Sequence, residues 1–207
     1  MAAPPHALPL REEDADPSPV RQFERWFADA VAAGIREPEA TALATAAADG
    51  APSVRMVLLK GLDERGAVFY TNYESRKGRE LAANPRGALV LYWDPLGRQI
   101  RIEGAVTRVT AEESDAYFDG RPRGSQVGAW ASAQSRAIPG RGDLEERVAE
   151  IEHRFAGGAV PRPPEWGGYR LEPVSFEFWQ HREDRLHDRL LYLPASAGGW
   201  TIERLSP

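Results

Sequence analysis

The chain has 207 residues, 42% hydrophobic and 28% charged, which is ordinary for a soluble protein with one sizeable core. It contains no cysteine, which excludes disulfides, iron–sulfur clusters, thiolate zinc sites and cysteine nucleophiles. The 26 basic and 31 acidic residues give a net charge of −5, which argues against broad binding to nucleic acids or anionic membranes. Only Lys60 and Lys77 among the basic residues are lysines; all others are arginines.

The N-terminal region has little to bury. Residues 1–17 are rich in proline and acidic side chains, and they predict a mobile arm ahead of a single domain over residues 18–207. The first residues lack the basic and long apolar regions of a secretory signal. The longest apolar run, Ala88 to Trp93, falls far short of the ~20 residues of a membrane-spanning helix. We therefore expect a cytoplasmic protein without membrane contact.

Periodicity and turn signals divide the rest of the chain into short elements. Ser18 and Pro19 are suited to begin a helix that ends at Gly34, and Thr110 with Glu113 forms a capping box at the start of another. Further helices are predicted at 75–83 and 144–155. Strands are predicted at 41–48, 53–60, 67–72, 87–93, 99–103, 169–172, 176–180, 190–193 and 200–204. Their short connections indicate an α+β protein, mostly antiparallel β.

Two clusters of cations lie in the first half of the chain. Arg55 and Lys60 stand at the two ends of an apolar strand, on opposite faces if alternation is strict, so a shared site needs the strand end or a bulge. Tyr70 and Thr71 precede a helix start that carries Ser75-Arg76-Lys77, where free N–H groups and two cations suit a phosphate. Solvated strand ends and an ordinary capped helix are the alternatives.

Two more clusters follow. Tyr117 precedes the Arg121–Ser125 segment RPRGS and then Gln134-Ser135-Arg136, a set that suits an anion or a plain surface loop. Trp179 and the 185–189 segment RLHDR combine an aromatic ring, a histidine, an acid and two arginines, which suits a flat ligand or a solvated hairpin. His187-Asp188 offers too few ligands for a metal. Together the four clusters favour one or two phosphorylated ligands.

Eight motifs resemble, in order, the pyridoxamine/pyridoxine 5′-phosphate oxidase family. They are RMVLLK (55–60), FYTNYESRKGREL (69–81), GRQIRIEG (97–104), YFDGRPRGSQVGAWAS (117–132), QSR (134–136), WGGYR (166–170), EFWQ (177–180) and RLHDRLLY (185–192). The resemblance runs over residues 17–207. It implies an FMN-binding split β-barrel with peripheral helices, assembled as a homodimer with FMN at the subunit interface, so that a site draws on both subunits.

The resemblance also implies the site residues. FMN would be held by Arg55, Met56, Val57, Leu58, Leu59, Lys60, Tyr70, Thr71, Arg76, Lys77, Gln99, Gln134, Ser135, Trp179 and Arg189. The substrate would be held by Lys60, Tyr117, Arg121, Ser125, Arg185, Leu186 and His187, with Arg185 and His187 as the catalytic pair and no metal. The implied reaction oxidises pyridoxine or pyridoxamine 5′-phosphate to pyridoxal 5′-phosphate, with O2 as electron acceptor and H2O2 as product.

One departure from the family pattern lies near the N-terminus. Family members often carry an Arg-x-x-Tyr segment that closes over the substrate, whereas here no tyrosine precedes Tyr70 and Arg11 lies in an acidic stretch. We expect weaker sequestration of the substrate with the chemistry retained.

Two alternative functions stay open at this point. One is a related flavin oxidase such as that of phenazine biosynthesis, against which Lys60 and the RPRGS and RLHDR motifs argue. The other is a non-catalytic protein that binds FMN or pyridoxal phosphate.

Overall fold

All strands of the described chain pair into one antiparallel sheet in a computed structural model, which describes residues 9–207. The strands are β1 (Ala40–Ala46), β2 (Pro52–Leu58), β3 (Gly61–Asp63), β4 (Gly66–Asn72), β5 (Arg86–Trp93), β6 (Arg98–Arg108), β7 (Trp166–Gln180), β8 (Asp188–Pro194) and β9 (Trp200–Arg204). Their order is β2-β1-β5-β6-β7-β4-β3, and β8 pairs with β7 and with β9. The predicted α+β class with a mostly antiparallel sheet is confirmed.

Five α-helices surround the sheet in residues 9–207. They are α1 (Pro19–Ala32), α2 (Arg76–Ala83), α3 (Ala111–Asp119), α4 (Arg123–Ala131) and α5 (Arg141–Arg154). The predicted start signals are confirmed: the Ser18 side chain accepts a hydrogen bond from the backbone of Arg21, and Thr110 and Glu113 form the capping box. None of these helices is long and apolar enough to cross a membrane.

Two predicted elements differ from the structure. No helix was predicted after Pro122, where an anion site and a plain surface loop were the two interpretations, but the segment forms α4, because its two glycines hide the helical period without preventing the helix. The strands predicted at 169–172 and 176–180 form one strand, β7. Pro173 lies opposite Gly104 at a register shift in the β6–β7 ladder, and a bulge is a place where a strand tolerates proline.

The main core lies on the inner face of the sheet and beneath α1. Trp26 of α1 meets Phe178 of β7 edge to face, with 5.3 Å between ring centroids. The apolar composition of residues 87–93 is typical of a strand buried on both faces, but that interpretation is wrong: burial alternates along the strand, and Tyr92 is 56% exposed. Tyr92 shares the outer face of the sheet with Val54, Met56 and Leu58, which are exposed as well.

The predicted arm over residues 1–17 lies partly outside the described residues. Its described part packs against β8 and β9. Leu10 is buried and its N–H donates to Asp188 Oδ2 at 3.1 Å, while Arg204 donates to Glu12 at 2.7 Å. Residues 10–12 are therefore held by one apolar contact and by charged groups from the opposite end of the chain, which differs from the expectation that they have little to bury.

We expect Gly104→Ala to destabilise the fold, because an added Cβ would lie 1.9 Å from the Glu172 carbonyl oxygen across the β6–β7 ladder. Forcing a methyl group into such a contact costs roughly 1–3 kcal/mol of unfolding free energy. Urea unfolding measures this loss. The control is Gly142→Ala in α5, where a Cβ meets nothing within 4 Å. Equal stability of the two variants would contradict the close approach at the bulge.

Candidate functional site

A cleft of about 190 Å³ opens between the end of β2, the strand β4 and the helices α2 and α3. We call it the β4 cleft. Its lining residues are Met56, Val57, Leu58, Lys60, Tyr70, Thr71, Lys77, Tyr117, Arg121, Gln134 and Trp166. All of these except Trp166 are residues that the sequence singled out. A second hollow of about 260 Å³ shares Arg121, Gln134 and Trp166 and adds Ser125.

The end of β2 explains how Lys60 reaches this cleft. The strand ends at Leu58, after which the Leu59 N–H donates to the Glu39 carbonyl and the Lys60 N–H donates to the Val68 carbonyl of β4 at 2.8 Å. Between Leu59 and Lys60, the backbone therefore changes its hydrogen-bonding partner from the segment before β1 to β4. Lys60 thus lies at a strand end, as expected, whereas Arg55 does not line the cleft. The Lys60 ammonium lies 3.7 Å from the Glu39 carboxylate.

Lys77 is a buried ammonium at the base of the cleft. Its Nζ donates to Thr71 Oγ1 at 3.2 Å, and Thr71 Oγ1 donates in turn to Gln134 Oε1 at 2.9 Å. Burial, together with the nearby cation of Arg55, lowers the pKa of Lys77 below its ordinary value. Within residues 9–207, no carboxylate forms an ion pair with Lys77. A buried cation with a neutral partner is suited to an anionic ligand.

Arg55 and Arg76 are both oriented by one buried carboxylate, Glu80 of α2. Arg55 Nη2 donates to Glu80 Oε2 at 3.0 Å, and Arg76 Nε donates to Glu80 Oε1 at 2.8 Å. The hydroxyls of Thr45 and Ser53 donate to the same carboxylate. Burial alone would raise the pKa of Glu80, but these four hydrogen bonds outweigh it and lower the pKa to about 2.

Three stacked aromatic rings and a guanidinium form one side of the cleft, which we call the aromatic wall. The rings of Tyr70 and Tyr117 are 3.8 Å apart and nearly parallel, and Trp166 stacks 5.6 Å from Tyr70. The Arg121 guanidinium lies 4.5 Å from the centre of the Trp166 ring. Its Nη1 is fully buried and has no hydrogen-bond partner, and burial lowers the pKa of Arg121.

A second cluster lies elsewhere on the sheet. Gln99, Trp179 and Arg189 are direct neighbours across β6, β7 and β8. The His187 ring lies 4.5 Å from the Trp179 ring, and its Nδ1 accepts a hydrogen bond from a backbone N–H at 3.1 Å. Burial, with smaller contributions from the charges of His181 and Arg185, lowers the pKa of His187. None of these residues lines the β4 cleft.

The remaining predicted residues occupy varied surroundings. Leu59 is buried in the main core, whereas Leu186 is 69% exposed. Ser135 follows Gln134 directly and adopts a left-handed backbone conformation with φ of 69°. Arg185 also has a left-handed backbone, φ 60°, and so does Asp184 before it, φ 54°. Such conformations are uncommon for residues with side chains, so the surrounding structure imposes them.

Sequence reasoning assigned no role to Trp166 or to Glu80. Trp166 belongs to the quoted motif WGGYR, but a lone tryptophan before two glycines indicates a strand start as readily as a ligand site. Glu80 stands four residues after Arg76, and that helical spacing was the available signal for an ion pair. Its second partner, Arg55, comes from a distant strand that the spacing does not reveal.

The sheet is that of a split-barrel protein, and its cationic cleft is suited to an anionic ligand. Residues 27–155 match the sequence model of the pyridoxamine 5′-phosphate oxidase family, and residues 166–207 match that of the pyridoxine 5′-phosphate oxidase C-terminal dimerisation region. The chain belongs to the pyridoxine/pyridoxamine 5′-phosphate oxidase family.

Curated relatives agree with this assignment. A Rubrobacter xylanophilus protein named pyridoxine/pyridoxamine 5′-phosphate oxidase is 61% identical over 96% of this chain and 91% of its own length. A protein of the same name from Bordetella petrii is 60% identical over 96% of this chain and 93% of its own.

Solved structures agree with the fold. PhzG from Burkholderia lata 383, in complex with tetrahydrophenazine-1-carboxylic acid, is 38% identical with a TM-score of 0.88, and the match covers 100% of this chain and 98% of that one. A pyridoxamine 5′-phosphate oxidase-related, FMN binding protein of Nostoc punctiforme PCC 73102 is 18% identical with a TM-score of 0.73, over 92% and 98%. The second likeness supports the split-barrel fold alone.

We expect Glu80→Gln to destabilise the protein at neutral pH by roughly 2 kcal/mol, since hydrogen bonds to a buried charge are lost. The folded pKa of Glu80 is depressed, so its charge stabilises the fold above pH 4.5 and ceases to do so as pH falls towards 2. The difference between wild type and variant should therefore shrink on acidification. Urea unfolding at pH 7 and pH 3 measures it.

The matched control is Glu145→Gln, which removes the carboxylate of an exposed i,i+4 pair with Arg141. That change should alter stability by less than about 0.5 kcal/mol at either pH. A Glu80 variant with a pH-independent effect would show that the carboxylate charge does not hold this cluster.

Proposed function

We propose that this chain is an FMN-dependent oxidase that converts pyridoxine 5′-phosphate or pyridoxamine 5′-phosphate to pyridoxal 5′-phosphate, with O2 as electron acceptor and H2O2 as product. The observation that carries the proposal is the buried Arg121 Nη1, an unpartnered donor in a cleft that holds further cations. A buried donor without a partner is costly, and a phosphate oxygen would satisfy it. Relatives at about 60% identity carry the name of this activity.

The residues around the β4 cleft fit the phosphate of FMN. Lys77 is buried and faces Thr71 and Gln134, while Arg76 and Arg55 flank it from α2 and β2. We propose that Lys77, Arg76 and Ser135 lie near that phosphate. When bound, FMN would supply the electron acceptance that no protein side chain provides. The protein's part is to bind it and to orient the substrate against it.

Lys60, Tyr117, Arg121 and Ser125 are proposed to hold the substrate phosphate. Three of them line the β4 cleft, and Ser125 lines the adjoining hollow with Arg121. Anchoring the phosphate supplies binding energy remote from the carbon that reacts. It also fixes the direction in which the pyridine ring enters the site.

Arg185, Leu186 and His187 are proposed to contact the pyridine ring. The Nδ1 atom of His187 accepts a backbone N–H, so the neutral ring carries its proton on Nε2. A lowered pKa keeps His187 neutral at pH 7. His187 then donates a hydrogen bond from Nε2, and an arginine is a poor base as well. We propose that both side chains bind and orient the substrate and that neither acts as the base.

A homodimer would bring the two clusters together. On one chain, Trp179, Arg189 and His187 stand apart from the β4 cleft. An exposed apolar face with Met56 and Tyr92 is available for a second copy. The match of residues 166–207 to a dimerisation region supports this arrangement. We propose that each site combines the β4 cleft of one subunit with the Trp179 cluster of its partner.

The phenazine branch is the second candidate, because PhzG shares the fold at a TM-score of 0.88 over the whole chain. The choice depends on the phosphate. The ligand bound to PhzG, tetrahydrophenazine-1-carboxylic acid, carries a carboxylate and no phosphate, and the cations Lys60 and Arg121 suit either anion, so the substrate that is turned over decides between the two. Parallel assays with pyridoxine 5′-phosphate and with that acid discriminate the two.

The visible spectrum of the purified protein tests the proposed function. We expect a yellow protein that is bleached by anaerobic pyridoxine 5′-phosphate and regains its colour in air, as substrate reduces bound flavin and O2 reoxidises it. A yellow protein that no substrate bleaches would support a binding protein instead. A colourless protein that FMN cannot reconstitute would refute the proposal.

Arg121→Ala tests the proposed site for the substrate phosphate. Loss of a buried charge-assisted contact is worth about 1.5–3 kcal/mol, so KM for pyridoxine 5′-phosphate should rise roughly ten- to hundredfold. The dissociation constant of FMN should change far less. Steady-state kinetics and a flavin fluorescence titration give the two values. An unchanged KM would remove Arg121 from the substrate site.

A further inference from the structure

We propose that Trp166 is a positioning residue that holds the Arg121 guanidinium in the orientation that receives the substrate phosphate. The inference deepens the proposed function and rests on it. Trp166 lines both the β4 cleft and the adjoining hollow, and Arg121 and Gln134 are the other residues that do so. Two features of Trp166 support this role: its contact with Arg121 and the packing that fixes its ring.

The contact uses the flat face of the guanidinium. Arg121 lies 4.5 Å from the centre of the Trp166 ring and 5.5 Å from that of Phe118. A cation over an indole face is attracted by the ring quadrupole, and the attraction strengthens away from water. Stacking of this kind uses no N–H donor, because the donors of a guanidinium lie in its plane. Nη1 is therefore left free for a ligand.

An acidic partner would act differently. A carboxylate fixes an arginine by taking its donors, as Glu80 does with Arg55. In residues 9–207, no carboxylate forms an ion pair with Arg121. An anion placed there would also repel the substrate phosphate. An indole face holds the same cation without competing for its donors, and this is the physical reason for a tryptophan at position 166.

The Trp166 ring is itself fixed from several sides. It is 7% exposed, stacks on Tyr70 at 5.6 Å and meets Phe118 edge to face at 5.1 Å. Its backbone N–H donates to Pro163, and its carbonyl accepts a hydrogen bond from Arg162 at 2.7 Å. The ring therefore has little freedom to turn. A rigid support of this kind lowers the entropy that Arg121 would lose on binding a phosphate.

Trp166→Leu removes the ring face and keeps an apolar side chain. We expect the dissociation constant of pyridoxal 5′-phosphate, measured by calorimetry on the FMN-loaded protein, to rise roughly five- to thirtyfold. KM for pyridoxine 5′-phosphate should rise by a similar factor, and by more than any change in kcat. Trp166→Phe keeps a smaller ring face and should recover part of the affinity. Should Trp166→Leu fail to fold, Trp166→Met, whose flexible side chain adapts to irregular space, takes its place.

Trp130→Leu is the matched control. An arginine also stacks on this ring, with Arg154 at 5.0 Å, but Trp130 does not line the β4 cleft. The same change there should leave the affinity for pyridoxal 5′-phosphate within twofold of wild type. Equal losses in the Trp130 and Trp166 variants would mark a general loss of stability and overturn the inference.

A double variant decides whether Trp166 acts through Arg121. In an Arg121→Ala background, Trp166→Leu should weaken pyridoxal 5′-phosphate binding no further, since the side chain that it positions is gone. Additive losses would overturn the inference and assign Trp166 a direct contact or a purely structural role. A wild-type protein that binds FMN but neither substrate nor product would instead refute the proposed function, so the two failures are distinct.

Discussion

The length of β7 is the constraint on which the rest of the site depends. This strand runs from Trp166 to Gln180 and pairs with β6 along nearly its whole length, but it pairs with β4 at its start and with β8 at its end. Trp166 stands at its first residue and Trp179 near its last. At ~3.3 Å per residue, the strand separates them by up to roughly 40 Å. In the proposed homodimer, one chain would contribute two half-sites, and pairing of two chains would complete each site.

The groups that contact each cation distinguish charges that stabilise the fold from charges that are proposed to bind a ligand. Arg98 pairs with Asp29, and Arg101 pairs with Glu177, so these cations stabilise the sheet and its contact with α1. Lys77 and the Nη1 atom of Arg121 are buried at the β4 cleft, where Lys77 bonds a neutral hydroxyl and Arg121 stacks on an aromatic ring. In a low local dielectric, an unpaired cation destabilises the fold, and its attraction to a bound anion is stronger than in water.

Much of the fold could be predicted because its signals are local. The cap at Ser18 and the capping box at Thr110 mark helix starts within a few residues, and the alternation after Gln99 marks a half-buried strand. Pro173 misled the prediction, since a bulge that accommodates proline depends on the partner strand. The helix α4 was missed because RPRGS carries turn residues that tertiary packing overrides. The outer face of β5 also depends on tertiary context.

The parts of the candidate site that could be predicted are those whose residues belong to a single motif. RMVLLK and the YT…SRK segment each contribute neighbours to the β4 cleft. The family resemblance implied a site shared between subunits, but motif order says nothing of distance in the fold, so the residues of each proposed half-site could not be assigned from it. The roles of Glu80 and Trp166 arise from contacts with Arg55 and Arg121, which come from other elements. Such long-range partners are visible only once the strands are paired.

The ion pair between Arg204 and Glu12 has a consequence for the order in which the chain folds. These residues lie 192 positions apart, yet they form a direct ion pair next to Asp188, which follows His187 in the chain. Contacts between distant residues carry a large loop-closure entropy and form slowly. This ion pair cannot form before β9 has been synthesised. Asp188, the neighbour of His187, thus gains its Arg204 partner only after β9 has been made, so the loop with His187 reaches its final surroundings late in folding.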